Sequence, residues 1–415
     1  MKELRIAIVG GGAAGIFAAI RAGQLAREKK IPVYICVFEA SSRFLSKVLI
    51  SGGGRCNVTF NNFEPNSFCK NYPRGNQELI SPMHQFQAQD TVDWFEARGV
   101  KLKVEVDGRI FPTTDMSDTI VNCLLDEAEQ FSVDLRLRHA VEEIYRENEK
   151  FILKINKVGD FPADRVMIAT GSSPVGYKLA KMVGHSIEEL APSLFSFNIS
   201  HPILKSLEGI SFPAASVEVL FDDKTKFSEK SPILITHWGL SGPGILKLSA
   251  WAAREMKKFK YKAKLIVNWI GVERAEDAIN LLHKLKVNRP KAQIINARLE
   301  IVPQRFWKKL LTFCTIQDDL QWANVTKQMI QNLANALSKM EMIVDGKSRN
   351  KEEFVECGGV SRKEINWKTM ESRINKGLYF GGEVVDIDGI TGGFNLQSAW
   401  TAGYIAGTHI IGPAE

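Results

Sequence analysis

A length of 415 residues exceeds what one hydrophobic core usually fills, roughly 250–300 residues, so more than one domain is expected. With 45% hydrophobic and 24% charged residues the composition is that of an ordinary globular chain, which excludes a disordered or fibrous protein. The net charge of +7 permits a polyanionic partner but describes the surface field, not the fold.

The six cysteines (Cys36, Cys56, Cys69, Cys123, Cys314 and Cys357) are scattered, and none forms a C-x-x-C pair. Neither a dithiol centre nor a zinc knuckle is signalled, and no metal is expected. Scattered cysteines without a signal peptide point to a reducing compartment, so a cytoplasmic protein is expected. The apolar stretch at residues 4–19 is interrupted by Gly10, Gly11, Gly12 and Gly15, and no run of about 20 apolar residues offers a membrane span.

Residues 4–9 (LRIAIV) have the β-branched, apolar character of a buried parallel strand. They run into Gly10-Gly11-Gly12-Ala13-Ala14-Gly15, which fits G-x-G-x-x-G, and a helical pattern follows to about residue 29. In this order Gly10 turns the chain, Gly12 lets the backbone approach a pyrophosphate, and Gly15 lets helix and strand pack closely. The helix N-terminus offers free N–H groups and a positive dipole end to the phosphates. Residues 33–38 read as the second strand. Glu39 and Ala40 at its end are expected at an adenosine ribose, where the carboxylate accepts from the hydroxyls and repels a 2′-phosphate. The fingerprint alone serves FAD and NAD equally.

Ser51-Gly52-Gly53-Gly54-Arg55-Cys56-Asn57-Val58-Thr59 is poor material for a helix or strand, because adjacent glycines cost conformational entropy. A loop lining the cofactor is expected, with Ser51, Gly53, Gly54, Arg55, Cys56 and Asn57 in contact and Lys47 as a further cation. A predicted hairpin, 140–145 with 151–155, carries Val141 toward the same cofactor. It leads to the strand 166–168, which ends in Ala169-Thr170-Gly171, small residues that leave room for phosphates.

Between about residues 190 and 343 the pattern changes to short alternating runs (SVEVLF, PILIT) and helices over 245–259, 274–286, 305–314 and 327–340. No second G-x-G-x-x-G occurs here, so NAD(P)H, if used, docks directly against the cofactor. Within Thr236-His237-Trp238-Gly239-Leu240-Ser241-Gly242-Pro243, His237 could exchange a proton near neutral pH while Thr236 and Ser241 orient a polar substrate. A capped turn before a helix explains the same residues. The run KKFKYKAK at 257–264 fits an RNA-facing patch or a solvated helix end.

The C-terminal segment brings an apolar strand ending in Gly381-Gly382-Glu383, then Asp386, then Gly389-Ile390-Thr391-Gly392-Gly393-Phe394-Asn395-Leu396-Gln397, which opens a helix to about residue 411. Glu383 and Asp386 suit ribityl hydroxyls. Gly392, Gly393, Phe394, Asn395 and Leu396 would aim backbone N–H groups at the flavin N1 and O2 edge.

Gly10 to Gly15, Lys47, SGGGRCN, Gly108-Arg109-Ile110-Phe111-Pro112, Ala169-Thr170-Gly171, Gly184-His185, THWGLSGP and the C-terminal glycines together resemble the aminoacetone-oxidase/BaiN-like flavoproteins along essentially the whole chain. Phe60 stands where that family usually has Asn, and the loop after Gly171 is shorter than usual. The resemblance implies NAD(P)/FAD-dependent oxidoreductase activity, either oxidation of a small amine or reduction of an activated double bond. The expected fold is α/β. A Rossmann-type, glutathione-reductase-like FAD domain is built from 1–190 and 344–415, and an α+β domain with antiparallel strands is inserted at 191–343. The expected partner is a small-molecule substrate rather than a membrane or nucleic acid. Two alternatives are a flavin-dependent tRNA-modifying enzyme and a non-catalytic dinucleotide sensor.

Overall fold

The computed structural model describes residues 3–348 and 355–412. The chain divides into two units, Met1–Leu190 with Val355–Glu415, and Ala191–Phe354. Unit one begins with β1 (Leu4–Val9), α1 (Ala13–Lys29), β2 (Val33–Glu39), β3 (Asp134–Leu137) and β4 (Arg165–Ile168). Unit two contributes β5 (Phe197–Asn198), β6 (Ser211–Phe212), β7 (Ile233–Thr236) and β8 (Gly239–Ser241). The chain then completes unit one with β9 (Ile365–Asn366), β10 (Glu371–Ser372), β11 (Leu378–Phe380) and α2 (Phe394–His409).

The main sheet runs β9-β10-β11-β4-β1-β2-β3. Its central strands pair in parallel, β11 with β4, β4 with β1, β1 with β2 and β2 with β3, while β9 and β10 close one edge antiparallel. Parallel strands covered on both faces read as continuous apolar runs, and Ile6 to Val9, Cys36 to Phe38, Val166 to Ile168 and Leu378 to Phe380 are all buried. The sheet is thus assembled from both ends of the sequence. The Rossmann-type α/β fold expected from the fingerprint is the one observed.

Helices α1 and α2 both lack a polar stripe, because both are covered on most sides; Ala14 to Ile20 and Phe394, Gln397 to Gly403 are buried. They meet through glycines. A Cβ on Gly403 would lie 2.6 Å from Ala14 O, and one on Gly407 would lie 2.5 Å from Ala18 O. The contacts advance along both helices together, so the two run parallel in close contact.

Some local expectations need correction. The hairpin is a three-stranded antiparallel sheet, Val141–Glu147, Lys150–Ile155 and Gly159–Ala163. The single helix expected over 245–259 is two, Pro243–Trp251 and Ala253–Lys258, because the chain leaves helical geometry at Ala252. The helix Lys327–Ser338 stops before Met340–Asp345, a strand whose alternating burial pairs it with Lys262–Asn268 in unit two. The core of unit two includes the fully buried Trp269, Trp307 and Trp322. Trp307 and Trp322 donate their indole N–H to Ile294 O and Ala297 O, both at 2.9 Å, so aromatic volume is buried without losing those hydrogen bonds.

His185 ties the end of Pro174–Met182 to β10. Its ring is buried, with Nδ1 2.9 Å from Glu364 Oε2 and Nε2 2.9 Å from Ser372 Oγ. Ser372 Oγ already accepts from the N–H groups of Ile374 and Asn375, at 3.0 and 2.8 Å, which leaves its own proton to point at Nε2. The ring is therefore neutral, with Nδ1–H donating to Glu364. Burial pulls its pKa below the ordinary 6.5, against the opposing pull of Glu364, and burial lowers that of His201 as well.

Two measurements check this account. Gly403→Ala gains helix propensity of about 1 kcal/mol but forces a backbone clash, so urea unfolding should show a net loss of about 1–3 kcal/mol; unchanged stability would refute the close helix contact. A histidine held neutral contributes stability above its unfolded pKa of 6.5 and loses it as pH falls through the lower folded value. The melting temperature should accordingly fall on acidification below about pH 6.5. His185→Gln should flatten part of that acid limb, and an unchanged slope would show that the ring does not titrate as described.

Candidate functional site

The site is built where the parallel strands end and α1 begins. Gly10, with φ +108°, turns off the end of β1, and its N–H donates to Phe38 O at 2.8 Å. A Cβ there would strike Ala169 O at 2.4 Å, and one on Gly15 would strike Gly10 O at 2.1 Å. Gly12 differs, since nothing lies within 4 Å of its ideal Cβ position. It is the N-cap of α1, with no side-chain cap and no acidic residue in the first turn, so the positive helix end behind Ala13 and Ala14 is uncompensated. Glu39 Oε2 accepts from Gly11 N at 2.9 Å and Oε1 from Ser41 N at 2.8 Å, while Ala40 is exposed. His139 N donates to Glu39 O at 2.9 Å, bringing the segment that enters the buried Val141 alongside the end of β2.

Three further loops of unit one converge on this turn. Lys47 Nζ lies 2.5 Å from Glu383 Oε2 and 3.0 Å from Ser172 Oγ. A Cβ on Gly171 would sit 3.8 Å from that same Glu383 oxygen, and one on Gly382 would sit 3.2 Å from Ala14 Cβ. Ala169-Thr170-Gly171, Gly382-Glu383, Lys47 and the start of α1 are therefore one cluster. Thr170 Oγ1 within it is buried and has no hydrogen-bond partner.

The Ser51 to Asn57 segment follows a short helical turn. Ser51 is extended, and Gly52 and Gly53 are left-handed at φ +58° and +70°, so the glycines form an irregular loop as expected. Gly53 and Gly54 again have nothing within 4 Å of an ideal Cβ. Arg55 is committed locally, 2.6 Å from Glu105 and 3.5 Å from Asp115, with its guanidinium 4.0 Å from the Phe111 ring centroid. Cys56 is buried, and burial pushes its thiol up to about 12, so it holds no thiolate at neutral pH.

Asn57 links this loop to the C-terminal helix. Its amide oxygen accepts from Gly393 N at 2.9 Å and its nitrogen donates to Thr59 O at 3.1 Å. Thr59 Oγ1 donates to Gln397 Oε1 at 2.7 Å, Trp400 Nε1 to Val58 O at 3.0 Å, and Tyr72 Oη to Phe394 O at 2.6 Å. None of these partners was legible in the sequence, because each pair spans more than three hundred residues. Gly392 and Gly393 precede α2, which also has no side-chain cap and no acidic first turn; Leu396 is half-buried. Asn395 folds back on Gly389, accepting from its N–H at 2.8 Å and donating to its carbonyl at 3.0 Å. Asp386, expected beside Glu383, is buried and turned away, accepting from Gly358 N at 3.0 Å and Arg362 Nε at 3.2 Å.

Thr236, His237 and Ser241 belong to unit two. Thr236 Oγ1 is buried without a partner, Ser241 Oγ lies 2.6 Å from Ser196 Oγ, and His237 is 81% exposed at the hairpin tip, 3.7 Å from Glu208. Among the described residues no helix is long and apolar enough to cross a membrane, and no group of side chains suits a metal ion.

The sequence matches the family described as HI0933-like protein Rossmann domain over residues 4–409. It is 29% identical over 421 residues to the ribosomal RNA dihydrouridine synthase of Escherichia coli (strain K12), with 99% of each chain covered. It is 27% identical to the 3-dehydro-bile acid delta(4,6)-reductase of Clostridium scindens, covering 97% of this chain and 98% of that one. The fold is similar to that of the 3-ketosteroid-delta4-(5alpha)-dehydrogenase from Rhodococcus jostii RHA1, with a TM-score of 0.50 and 12% identity over 99% of this chain and 97% of that one.

Proposed function

The chain belongs to the HI0933-like Rossmann-domain family and is an oxidoreductase of the FAD-flavoprotein class, and on that premise we propose that it reduces a carbon–carbon double bond conjugated to a carbonyl, with NADH or NADPH as electron donor. The observation that carries the cofactor assignment is the stagger of the two uncapped helices. Gly403 lies nine positions into α2 and meets Ala14, one position into α1, so the start of α2 lies about 12 Å beyond the start of α1 along a common direction. Two positive helix ends offset in this way suit an extended molecule with phosphates at one point and an electron-accepting ring further along.

FAD bound there supplies the hydride chemistry. The residues fit it. The open backbone at Gly12 and the first-turn N–H groups of α1 would hold the diphosphate. Glu39 would take the adenosine ribose, and Glu383, held by Lys47, would take the ribityl hydroxyls. The N–H groups of Phe394, Asn395 and Leu396, at a helix start where Gly393 is fixed by Asn57, would stabilise the negative charge that collects on the flavin ring on reduction.

The reaction follows from what two relatives share. One is named for making dihydrouridine in ribosomal RNA and the other for reducing a 3-dehydro-bile acid, and both names denote adding hydrogen to a double bond conjugated to a carbonyl. Neither is named for oxidising an amine, so reduction is favoured over the aminoacetone-type reaction. The bacterial synthase name also favours a uridine within RNA as the bearer of that bond. The lysine run gives that substrate little help, since Lys258, Lys262 and Lys264 pair with Asp223, Asp345 and Glu341 at 2.7, 3.5 and 2.7 Å.

The purified protein should be yellow and release FAD on denaturation. Gly12→Ala should leave the melting temperature of the FAD-free protein within about 2 °C yet weaken FAD binding at least about tenfold, because the added methyl meets only the incoming phosphate. Unchanged affinity in that variant would move the diphosphate elsewhere. In anaerobic stopped-flow, NADH or NADPH should bleach the flavin and a conjugated enone or uridine substrate should restore its colour; bleaching by amines alone would reverse the assigned direction.

A further inference from the structure

Two stretches of unit two, residues 278–299 and 320–340, contain no aspartate or glutamate. The fold laces them into one surface. The helix Ala275–Asn288 packs against the helix Lys327–Ser338. Between them, Trp322 N donates to Ala292 O at 3.0 Å, Ala323 N to Pro290 O at 2.8 Å and Ile294 N to Leu320 O at 2.8 Å. Lys286 Nζ reaches across to Val325 O at 2.5 Å, so the end of the first helix lies against the start of the second. Each helix buries one stripe, Ala278 and Leu282 on the first and Ile330, Leu333 and Leu337 on the second, and turns the opposite stripe outward.

The outward side is cationic. Lys284, Arg289, Lys291 and Lys327 are exposed, and among the described residues none of them is ion-paired. Of the carboxylates at the margins of the two stretches, Asp277 is taken by Arg274 at 3.3 Å and Glu341 by Lys264 at 2.7 Å. Amides rather than acids accompany the cations, with Gln328 donating to Asn332 at 2.9 Å and Gln331 to Asn335 at 3.1 Å along the second helix. Lys258, Lys262 and Lys264 are the opposite case, each closed by its own carboxylate. Like charges gathered without counter-charges repel one another in the folded state, and their field favours an anionic partner. The surface has no ring on which a base could stack, because Trp322, the single aromatic residue of the two stretches, is fully buried.

We infer that this face of unit two is a docking surface for RNA that grips the sugar–phosphate backbone. Lys284, Arg289, Lys291 and Lys327 each neutralise a phosphate and release its counter-ions, while the amides of Gln328 and Asn332 exchange hydrogen bonds with ribose hydroxyls and phosphate oxygens. Such a grip positions the strand without reading its bases, so affinity is indifferent to sequence and falls steeply with salt. An acidic protein fits less well. Protein partners are held by large apolar anchors, and Val287 is the one such side chain exposed among the described residues of the two stretches. Interfaces with nucleic acid are instead polar and strongly positive, as this one is. This inference rests on the reading above that the reducible bond is carried by a uridine within RNA.

Fluorescence anisotropy of the FAD-loaded protein with a dye-tagged RNA stem-loop provides the test. The wild type should bind it, and a stem-loop of unrelated sequence should bind within about threefold of the first. Lys284→Gln, Arg289→Gln, Lys291→Gln and Lys327→Gln together should weaken binding at least about tenfold at roughly 0.1 M salt. The same four changes should lower the slope of log Kd against log salt by about 3, since each phosphate contact contributes about 0.7–0.9. Lys258→Gln, Lys262→Gln and Lys264→Gln together should change affinity less than about threefold, because those charges are already closed. No binding by the wild type at low salt, equal losses in the two variants, a strong sequence preference, or displacement by polyglutamate as effective as by unlabelled RNA would each overturn the inference. The melting temperature of the four-site variant should stay within about 2 °C of the wild type, and a larger fall would assign these cations to the fold and overturn it too. RNA binding of this pattern in a protein whose reduced flavin no conjugated substrate reoxidises would refute the functional reading and leave the surface standing. Reoxidation by a small conjugated substrate without RNA binding would do the reverse.

Discussion

The contact between α1 and α2 is the constraint on which unit one depends. Two helices that touch through backbone oxygen at Gly403 and Gly407 tolerate almost no added volume, and that intimacy joins the first thirty residues to the last thirty. Once the helices are locked in parallel register, their N-termini are staggered and point toward the same end of the sheet. Gly381, wedged against Met167, Ala14 and Ala402, closes the same seam from the strand side. The convergence of distant parts of the chain at this end of the sheet, the proposed cofactor grip, is a consequence of this seam and of the β11-β4-β1 pairing beside it.

Around the seam, polar groups divide into those that finish the fold and those left facing open ground. Arg74 with Asp388, and Arg362 with Asp386 and Glu78, anchor the loop that leads into α2. A buried pair such as Arg74 and Asp388 recovers little net stability after desolvation, but removing one partner strands a charge, so it holds the loop to one conformation. Asn395 clasps Gly389 to the same end. By contrast, the first turns of both helices carry no side-chain cap, and the backbone at Gly12, Gly53 and Gly54 has nothing within 4 Å of an ideal Cβ. On the proposed reading these are the groups that take a ligand with phosphates and a polar ring.

Unit two follows a different logic. Its core is dense with aromatic side chains whose N–H groups at Trp307 and Trp322 are paired, and its strands are antiparallel rather than threaded through crossover helices. The exposed His237, singled out by residue type, sits at a hairpin tip 3.7 Å from Glu208, whereas Thr236 and Asn198 stand in the sheet itself.

The sequence by itself determined the β1–glycine–α1–β2–Glu39 order, the all-apolar central strands, and the presence of a second glycine-rich helix start near residue 393. Each of these is local: a strand's burial is written in its own run of side chains, and a turn's geometry in its own glycines. Only the tertiary structure decided that Asn57 caps Gly393, that Asp386 turns to Arg362 instead of following Glu383, that Arg55 is consumed by Glu105, and that Asn198 shares a row with Thr236. Hydrogen bonds and ion pairs between residues far apart in the chain depend on strand register and helix stagger. Those are set by how whole elements fit together, and no short stretch of sequence contains that information.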